Sequence, residues 1–207
     1  MKPLIVFLNG TSSSGKTSIA NALQELYPTP LLHTGIDWFY DMLPKQAVGS
    51  GPMTQYGYRY IMRNGLLDHI EVGEYAQRLI GSVVPMTGVL IEHGSDIVID
   101  EILFHGERRD FLHAYADTFA DARAYFIKIE CALEILEARE AQRPDRHRGV
   151  ARAQFYEVHN HLYSYDFTVD TGTTEPKACA EMILDFMAKV PEPQAFAAIR
   201  ARKKHAL

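Results

Sequence analysis

Five short apolar, β-rich runs punctuate the chain, at residues 4–8, 31–35, 97–103, 124–130 and 167–170, and they predict strands. The runs at 4–8 and 97–103 are almost continuously apolar, as strands covered by helices on both faces should be. Between the runs the apolar positions recur with helical spacing. Ile19, Ala22, Leu23 and Leu26, at i, i+3, i+4 and i+7, predict a helix that begins near Lys16. Strand and helix patterns alternate, which predicts an α/β fold on a parallel sheet. Two stretches interrupt the rhythm. Residues 44–68 are rich in Gly, aromatic and turn residues and predict an inserted loop and helix, while residues 132–152 are densely charged and break at Pro144-Asp145. No repeat or linker divides the 207 residues, so one domain over 1–190 is expected. After Pro191 and Pro193, residues 191–207 carry Arg200, Arg202, Lys203 and Lys204 and read as a solvated basic tail.

The joint between the first strand and the first helix carries the clearest chemistry. It reads Gly10-Thr11-Ser12-Ser13-Ser14-Gly15-Lys16-Thr17, a complete phosphate-binding loop. A plain Gly/Ser turn is the bland alternative, but a buried strand before and a helix after are what the motif requires. Glycines let the backbone curl so that N–H groups converge on oxygens, and a helix N-terminus favours an anion. All eight residues are therefore candidate ligands of a nucleoside triphosphate. Lys16 would reach the β- and γ-phosphates, and the Thr17 hydroxyl would bind Mg²⁺.

Three further groups belong to such a site. Asp100 ends the strand Ile97-Val98-Ile99-Asp100, where an acid beside the phosphate loop can hold the metal or its water. Glu101 is expected behind it or solvated. Asp37 follows the second strand and reads equally as a general base for an acceptor hydroxyl or as a helix N-cap before Trp38-Phe39-Tyr40. Asp41 reads as a structural acid. In the charged segment, Arg139, Arg143, Arg146, Arg148 and Arg152 are interleaved with Glu134, Glu137, Glu140 and Asp145, which fits an ion-paired helix or a lid. Arg143 and Arg146 flank the Pro-Asp break and are the lid candidates, whereas Arg139 could pair with a neighbouring turn. Trp38, Phe39 and Tyr56 are core residues or the walls of a pocket for a flat apolar acceptor.

Composition narrows the partners. A formal net charge of −5 argues against a nucleic-acid surface. No apolar run suffices to span a bilayer and no signal peptide precedes the first strand, so a cytoplasmic protein is expected. Cys131 and Cys179 lack ligand spacing, with Cys179 on the apolar face of a helix, and the nine histidines form no constellation that predicts zinc.

Several segments together resemble the chloramphenicol phosphotransferase family. They are Leu8-Asn9-Gly10 running into the phosphate loop, Gly35-Ile36-Asp37, Ile70-Glu71-Val72-Gly73, Val98-Ile99-Asp100-Glu101, Arg139-Glu140-Ala141-Gln142-Arg143-Pro144-Asp145-Arg146 and Tyr165-Asp166-Phe167-Thr168-Val169-Asp170-Thr171. They run in the family's order from residue 4 to about 187. The phosphate loop is generic; the Asn-Gly start, Gly-Ile-Asp and the Tyr-Asp…Asp-Thr ending are more specific. The resemblance implies a three-layer P-loop NTPase fold, like the nucleoside monophosphate kinases, with a five-stranded parallel sheet and a helical lid. It implies ATP with Mg²⁺ and transfer of phosphate to a primary hydroxyl of a small molecule. It makes Asp37 the base, Lys16 the phosphate clamp, Arg143 and Arg146 the lid arginines, Thr17 and Asp100 the metal side, and Thr171 an adenine contact. Trp38-Phe39-Tyr40 and Asp100-Glu101 depart from the family's small residues and Asp-Asp at these places, which leaves the acceptor open. Another P-loop kinase, for a metabolite or a sugar nucleotide, is the alternative. A nucleotide-dependent switch is a further one, although a guanine-reading Asn-Lys-x-Asp is absent after the fourth strand.

Overall fold

A computed structural model describes residues 2–63, 66–103, 109–143, 149–159 and 163–204. The chain runs β1 (Leu4–Asn9), α1 (Lys16–Leu26), β2 (Leu32–Gly35), α2 (Ile36–Asp41), β3 (Val48–Gly49), β4 (Tyr58–Arg63), β5 (Leu66–Val72) and α3 (Glu74–Glu92). It continues β6 (Ile97–Glu101), α4 (Arg109–Thr118), β7 (Arg123–Glu130), α5 (Leu133–Ala141), α6 (Val150–Phe155), β8 (Phe167–Asp170), α7 (Pro176–Lys189) and α8 (Ala195–Lys204). The five runs read as strands from the sequence form one parallel sheet in the order β2-β6-β1-β7-β8.

The continuous apolarity of β1 has a simple cause. Successive strand side chains point to opposite faces. Leu4, Val6 and Leu8 pack with Ile19 and Leu23 of α1 and with Cys179 and Ile183 of α7. Ile5 and Phe7 pack on the other face with Val83 of α3, Tyr115 of α4 and Phe196 of α8. Phe7 sits edge-on to Tyr115, Phe126 and Phe196, with ring centroids 4.9, 5.7 and 5.7 Å away. The chain leaves β1 for α1 on one face and leaves β6 for α4 on the other. Neighbouring strands whose exits diverge in this way open a crevice at their carboxyl ends.

Two expectations are corrected. The described residues of 44–68 hold no inserted α-helix; after a 3₁₀ turn at Lys45–Ala47 the segment enters a second, three-stranded sheet, β3-β4-β5. Strands β4 and β5 pair antiparallel from Tyr58↔Val72, with an irregularity between Ile61 and Met62. The alternation Tyr58-Arg59-Tyr60 explains the choice, since it gives one half-buried face. Tyr58 stacks on Tyr40 of α2 (centroids 4.1 Å apart, planes at 18°), and the Tyr40 and Tyr60 hydroxyls are hydrogen-bonded. That burial and the Tyr60 hydroxyl push the Tyr40 phenol far up.

The C-terminal segment is not a solvated tail. Helix α8 buries Ala195, Phe196 and Ile199 in the main core, and Arg200 donates to the Ala116 carbonyl at 2.6 Å. The basic residues that dominate this stretch of sequence hide that apolar face. Asp166 caps its start, accepting from the amides of Gln194 and Ala195 at 2.8 and 2.9 Å. Among the described residues, no helix is long and apolar enough to cross a membrane.

Phe196 packs against the rings of Phe7, Phe119 and Phe126, so its removal leaves a cavity at the centre of one layer. Phe196→Ala is expected to lower stability by about 3–5 kcal/mol, read as a shift in the urea midpoint at unchanged slope.

Candidate active site

The crevice holds a cavity of about 590 Å³, lined by the phosphate loop, the start of α2, the end of β6, α5 and the segment after β8. The loop's backbone turns through left-handed conformations at Ser13 (φ 63°) and Gly15 (φ 88°). Gly15 precedes the first turn of α1, where a Cβ would be strained. At Gly10 the reason for glycine is proximity: a Cβ would stand 2.8 Å from the Ile129 carbonyl oxygen of β7. Helix α1 has neither a side-chain cap nor an acid in its first turn, so its positive end faces the loop uncompensated.

Lys16 is 6% exposed. Its Nζ donates to the Thr11 carbonyl at 2.9 Å and lies 3.6 Å from Asp100 Oδ1. The Thr17 hydroxyl donates to Asp100 Oδ2 at 2.6 Å. Asp100 and Glu101 are adjacent, yet strand alternation parts them. Asp100 shares the face of Val98, toward α1, whereas Glu101 turns to α4, where it is buried and accepts from the Tyr115 hydroxyl at 3.0 Å. Burial, and then the Glu101 carboxylate, push that phenol well above its usual range. Glu101 is thus part of the core, and Asp100 alone of the two faces the loop.

Asp37 lies inside the first turn of α2, while Gly35 occupies the N-cap position and no side chain caps the helix. The capping reading is therefore removed, and Asp37 lines the cavity with Lys16 and Asp100. Gly35 makes this possible, because β2 pairs Gly35 with Asp100 and any Cβ there would collide with the Asp100 carbonyl.

The charged segment divides by partner. Arg139 and Arg143, one helical turn apart on or just beyond α5, both line the cavity. Arg139 donates through Nη2 to the Thr171 carbonyl at 2.6 Å and through Nη1 to its hydroxyl at 3.3 Å. Arg152 points elsewhere, held by both carboxylate oxygens of Glu137 at 2.6 and 2.9 Å. Arg146 lies outside the described residues. Glu140 is 3% exposed because it accepts the Gly149 and Ala151 amides at 2.6 and 2.8 Å, fixing the start of α6 to α5. From α6, Gln154 Oε1 accepts the Ser12 amide at 2.7 Å.

Thr171 is 4% exposed, and its hydroxyl lies 2.7 Å from the Ser14 carbonyl and 3.1 Å from that of Glu130. It braces the loop while bordering the cavity. The aromatic candidates are not gathered around this cavity. Phe39 is 6% exposed and belongs to the core, whereas Trp38 and Tyr56 are exposed. The helical register from Ile36 sends Phe39 inward and Trp38 outward, which a run of three aromatics does not reveal. Ile36 and Ile102 are the apolar walls instead.

Arg139 was underrated by sequence reasoning, although its four-residue spacing from Arg143 signals a shared helix face. Gln154 and His33 carried no local signal. His33 is buried 4.0 Å from Asp100 Oδ2; burial pushes its imidazole down, against the opposing pull of Asp100, so the neutral form is favoured.

Comparison with known proteins agrees with this geometry. A Mycobacterium tuberculosis protein named "Putative O-phosphotransferase" is 27% identical over 202 residues, which is 96% of this chain and 88% of that one. The M. tuberculosis APS kinase in complex with AMPPNP and APS aligns over 90% of this chain and 98% of its own, with a TM-score of 0.56 and 15% identity. A gluconokinase from Sinorhizobium meliloti 1021 aligns over 91% of this chain and 93% of its own, with a TM-score of 0.58 and 13% identity. These structural likenesses show the fold, a five-stranded parallel sheet between helices. A family model described as chloramphenicol phosphotransferase-like protein matches residues 3–188, and the chain belongs to that family.

Proposed function

We propose that the protein is an ATP-dependent O-phosphotransferase that moves the γ-phosphoryl group to a primary hydroxyl of a small molecule. The carrying observation is that Asp37 shares one cavity with Lys16, Asp100, Arg139 and Arg143. One carboxylate therefore enters the cavity from the β2 side, where the loop and α5 supply the cations. Family membership and the O-phosphotransferase relative support the reaction class.

The residues present fit a triphosphate with magnesium. The hydroxyls of Ser12 and Ser13, which line the cavity, are buried without a hydrogen-bond partner among the described residues, an arrangement that phosphate oxygens would satisfy. Thr17 and Asp100, already paired, form the oxygen donor set that Mg²⁺ takes. When bound, Mg²⁺ neutralises charge on the β- and γ-phosphate oxygens.

In the proposed reaction Asp37 accepts the proton of the acceptor hydroxyl as that oxygen bonds to the γ-phosphorus. The bond from the γ-phosphorus to the β,γ-bridging oxygen breaks, and ADP leaves. Lys16 holds the phosphates, while Arg139 and Arg143 stabilise charge on the transferring group. Arg146 is assigned the same lid role by family resemblance. Thr171 borders the nucleotide end and supports the loop from beneath. Chloramphenicol is the first acceptor to test, because the family carries its name; Ile36 and Ile102 offer an apolar wall beside Asp37.

Replacing Asp37 with Asn should lower kcat at least about a hundredfold while calorimetry finds ATP binding nearly unchanged. Equal turnover would remove Asp37 as the base. Arg143→Ala should cut kcat/KM by about a hundredfold, whereas Arg152→Ala, whose guanidinium is engaged outside the cavity, should stay within about threefold of wild type in the same assay. Incubation with ATP, Mg²⁺ and chloramphenicol, beside a panel of primary alcohols, is expected to add one phosphoryl mass to an acceptor. A product only from another alcohol would retain the reaction and replace the substrate.

A further inference from the structure

His33 is a buried polar group that the proposed chemistry leaves unused. Strand register pairs it with Val98, so it faces the same side of the sheet as Asp100. Its side chain is 7% exposed, and its Nε2 is buried without a hydrogen-bond partner among the described residues. That nitrogen stops 4.0 Å from Asp100 Oδ2, the oxygen that accepts the Thr17 hydroxyl. Trp38 closes the outer side, its ring perpendicular to the imidazole at 78° with centroids 5.7 Å apart.

A buried nitrogen left unpaired costs about 1–3 kcal/mol, a penalty that an apolar residue at position 33 would avoid. A separation of 4.0 Å is too long for a direct hydrogen bond. One oxygen atom at ordinary hydrogen-bond distance from both groups would bridge that gap once a small turn of the imidazole exposes Nε2, which is buried as it stands. Beside Thr17 and Asp100, the oxygen available for that place is a water of a divalent cation's hydration shell, since Mg²⁺ keeps several of its waters. A cation-bound water donates both hydrogens; a carboxylate oxygen accepts, and so does an imidazole nitrogen that carries no hydrogen.

We propose that His33 is a positioning residue for the divalent cation: its Nε2 and Asp100 Oδ2 together hold one water of the cation's shell, and Trp38 seals that contact from solvent. The inference rests on the cation site of the proposed function. It also gives Trp38 a place beside the metal side of the site instead of in an acceptor pocket.

Trp38 is the only tryptophan in the chain, so its emission reports on this spot directly. The test titrates Mn²⁺ into the full chain carrying AMPPNP, following free Mn²⁺ by electron paramagnetic resonance and Trp38 by fluorescence. In the wild type, metal is expected to change Trp38 emission. His33→Leu should weaken Mn²⁺ about tenfold and abolish most of the emission change, with AMPPNP affinity in the absence of metal unaltered. His33→Gln, which keeps an acceptor, should recover most of the affinity; thermal unfolding of each variant checks that it folds. Should the Leu variant not fold, a Gln variant with wild-type metal affinity still supports the assignment, and one as weak as His33→Ala overturns it. Wild-type Mn²⁺ affinity in His33→Leu would overturn the inference and leave the kinase reading intact. Equal loss of AMPPNP affinity with and without metal would show a packing role and overturn it too. If wild-type AMPPNP binding ignores metal altogether, the cation site itself falls, and this inference with it.

Discussion

Strand β1 is buried along its whole length, and the position of every group at the site follows from what must cover it. Both faces need helices, so the chain leaves β1 toward one face and β6 toward the other. The carboxyl ends of these two strands then diverge in their exits, and only there can a loop curl into a phosphate cradle without displacing core. The same alternation that assigns Phe7 to one layer and Leu8 to the other sends Asp100 toward the loop and Glu101 into the core. Burying both strand faces and separating two adjacent acids are one geometric fact.

The strand end is held by a buried amide. Asn9 accepts the Leu103 amide at 2.9 Å and donates to the Tyr165 hydroxyl at 2.7 Å and to the Val158 carbonyl at 3.3 Å. Tyr165 is in turn within 2.9 Å of His159 Nδ1. Asn9 thereby joins the segments after β6, after α6 and before β8. Leaving such a network partly satisfied would be expensive away from water, so it fixes the loops as a set. This accounts physically for an Asn preceding the first glycine of the phosphate loop: the glycine clears β7, and the amide ties the loops behind it.

Patterns that are local in sequence were the legible ones. Five strands, helix α1, the phosphate loop and Asp100 each rest on residues within about ten positions of one another, where periodicity speaks directly. Asp37 was visible but ambiguous, because one residue of register separates a cap from a cavity-facing carboxylate. The second sheet was missed since its evidence, Tyr58 and Tyr60 meeting Tyr40, joins segments far apart in the chain. Helix α8 was missed because the basic residues at its end outweighed Ala195, Phe196 and Ile199, and only the partner rings reveal what those residues cover. Gln154 reaches Ser12 across 142 positions, and nothing near either residue announces the contact.

Long-range contacts also couple α5 and α6 to the phosphate loop. The two helices are joined through Glu140, which accepts the Gly149 and Ala151 amides. The pair grips the loop twice, through Gln154 at the Ser12 amide and through Arg139 on Thr171, whose hydroxyl reaches the Ser14 carbonyl. A phosphate that reorganised the loop would therefore act on Arg139 of α5 through Thr171, and a displacement of α5 and α6 would loosen the loop's contacts. Charge is shared out differently. Lys16, Arg139 and Arg143 come from the phosphate loop and from α5 or just beyond it, Asp100 sits beside Lys16 at 3.6 Å, and Asp37 comes from the first turn of α2. In the proposed reaction a triphosphate is drawn to the cations and a hydroxyl loses its proton to Asp37. Two reactants thus meet different groups in the same cavity.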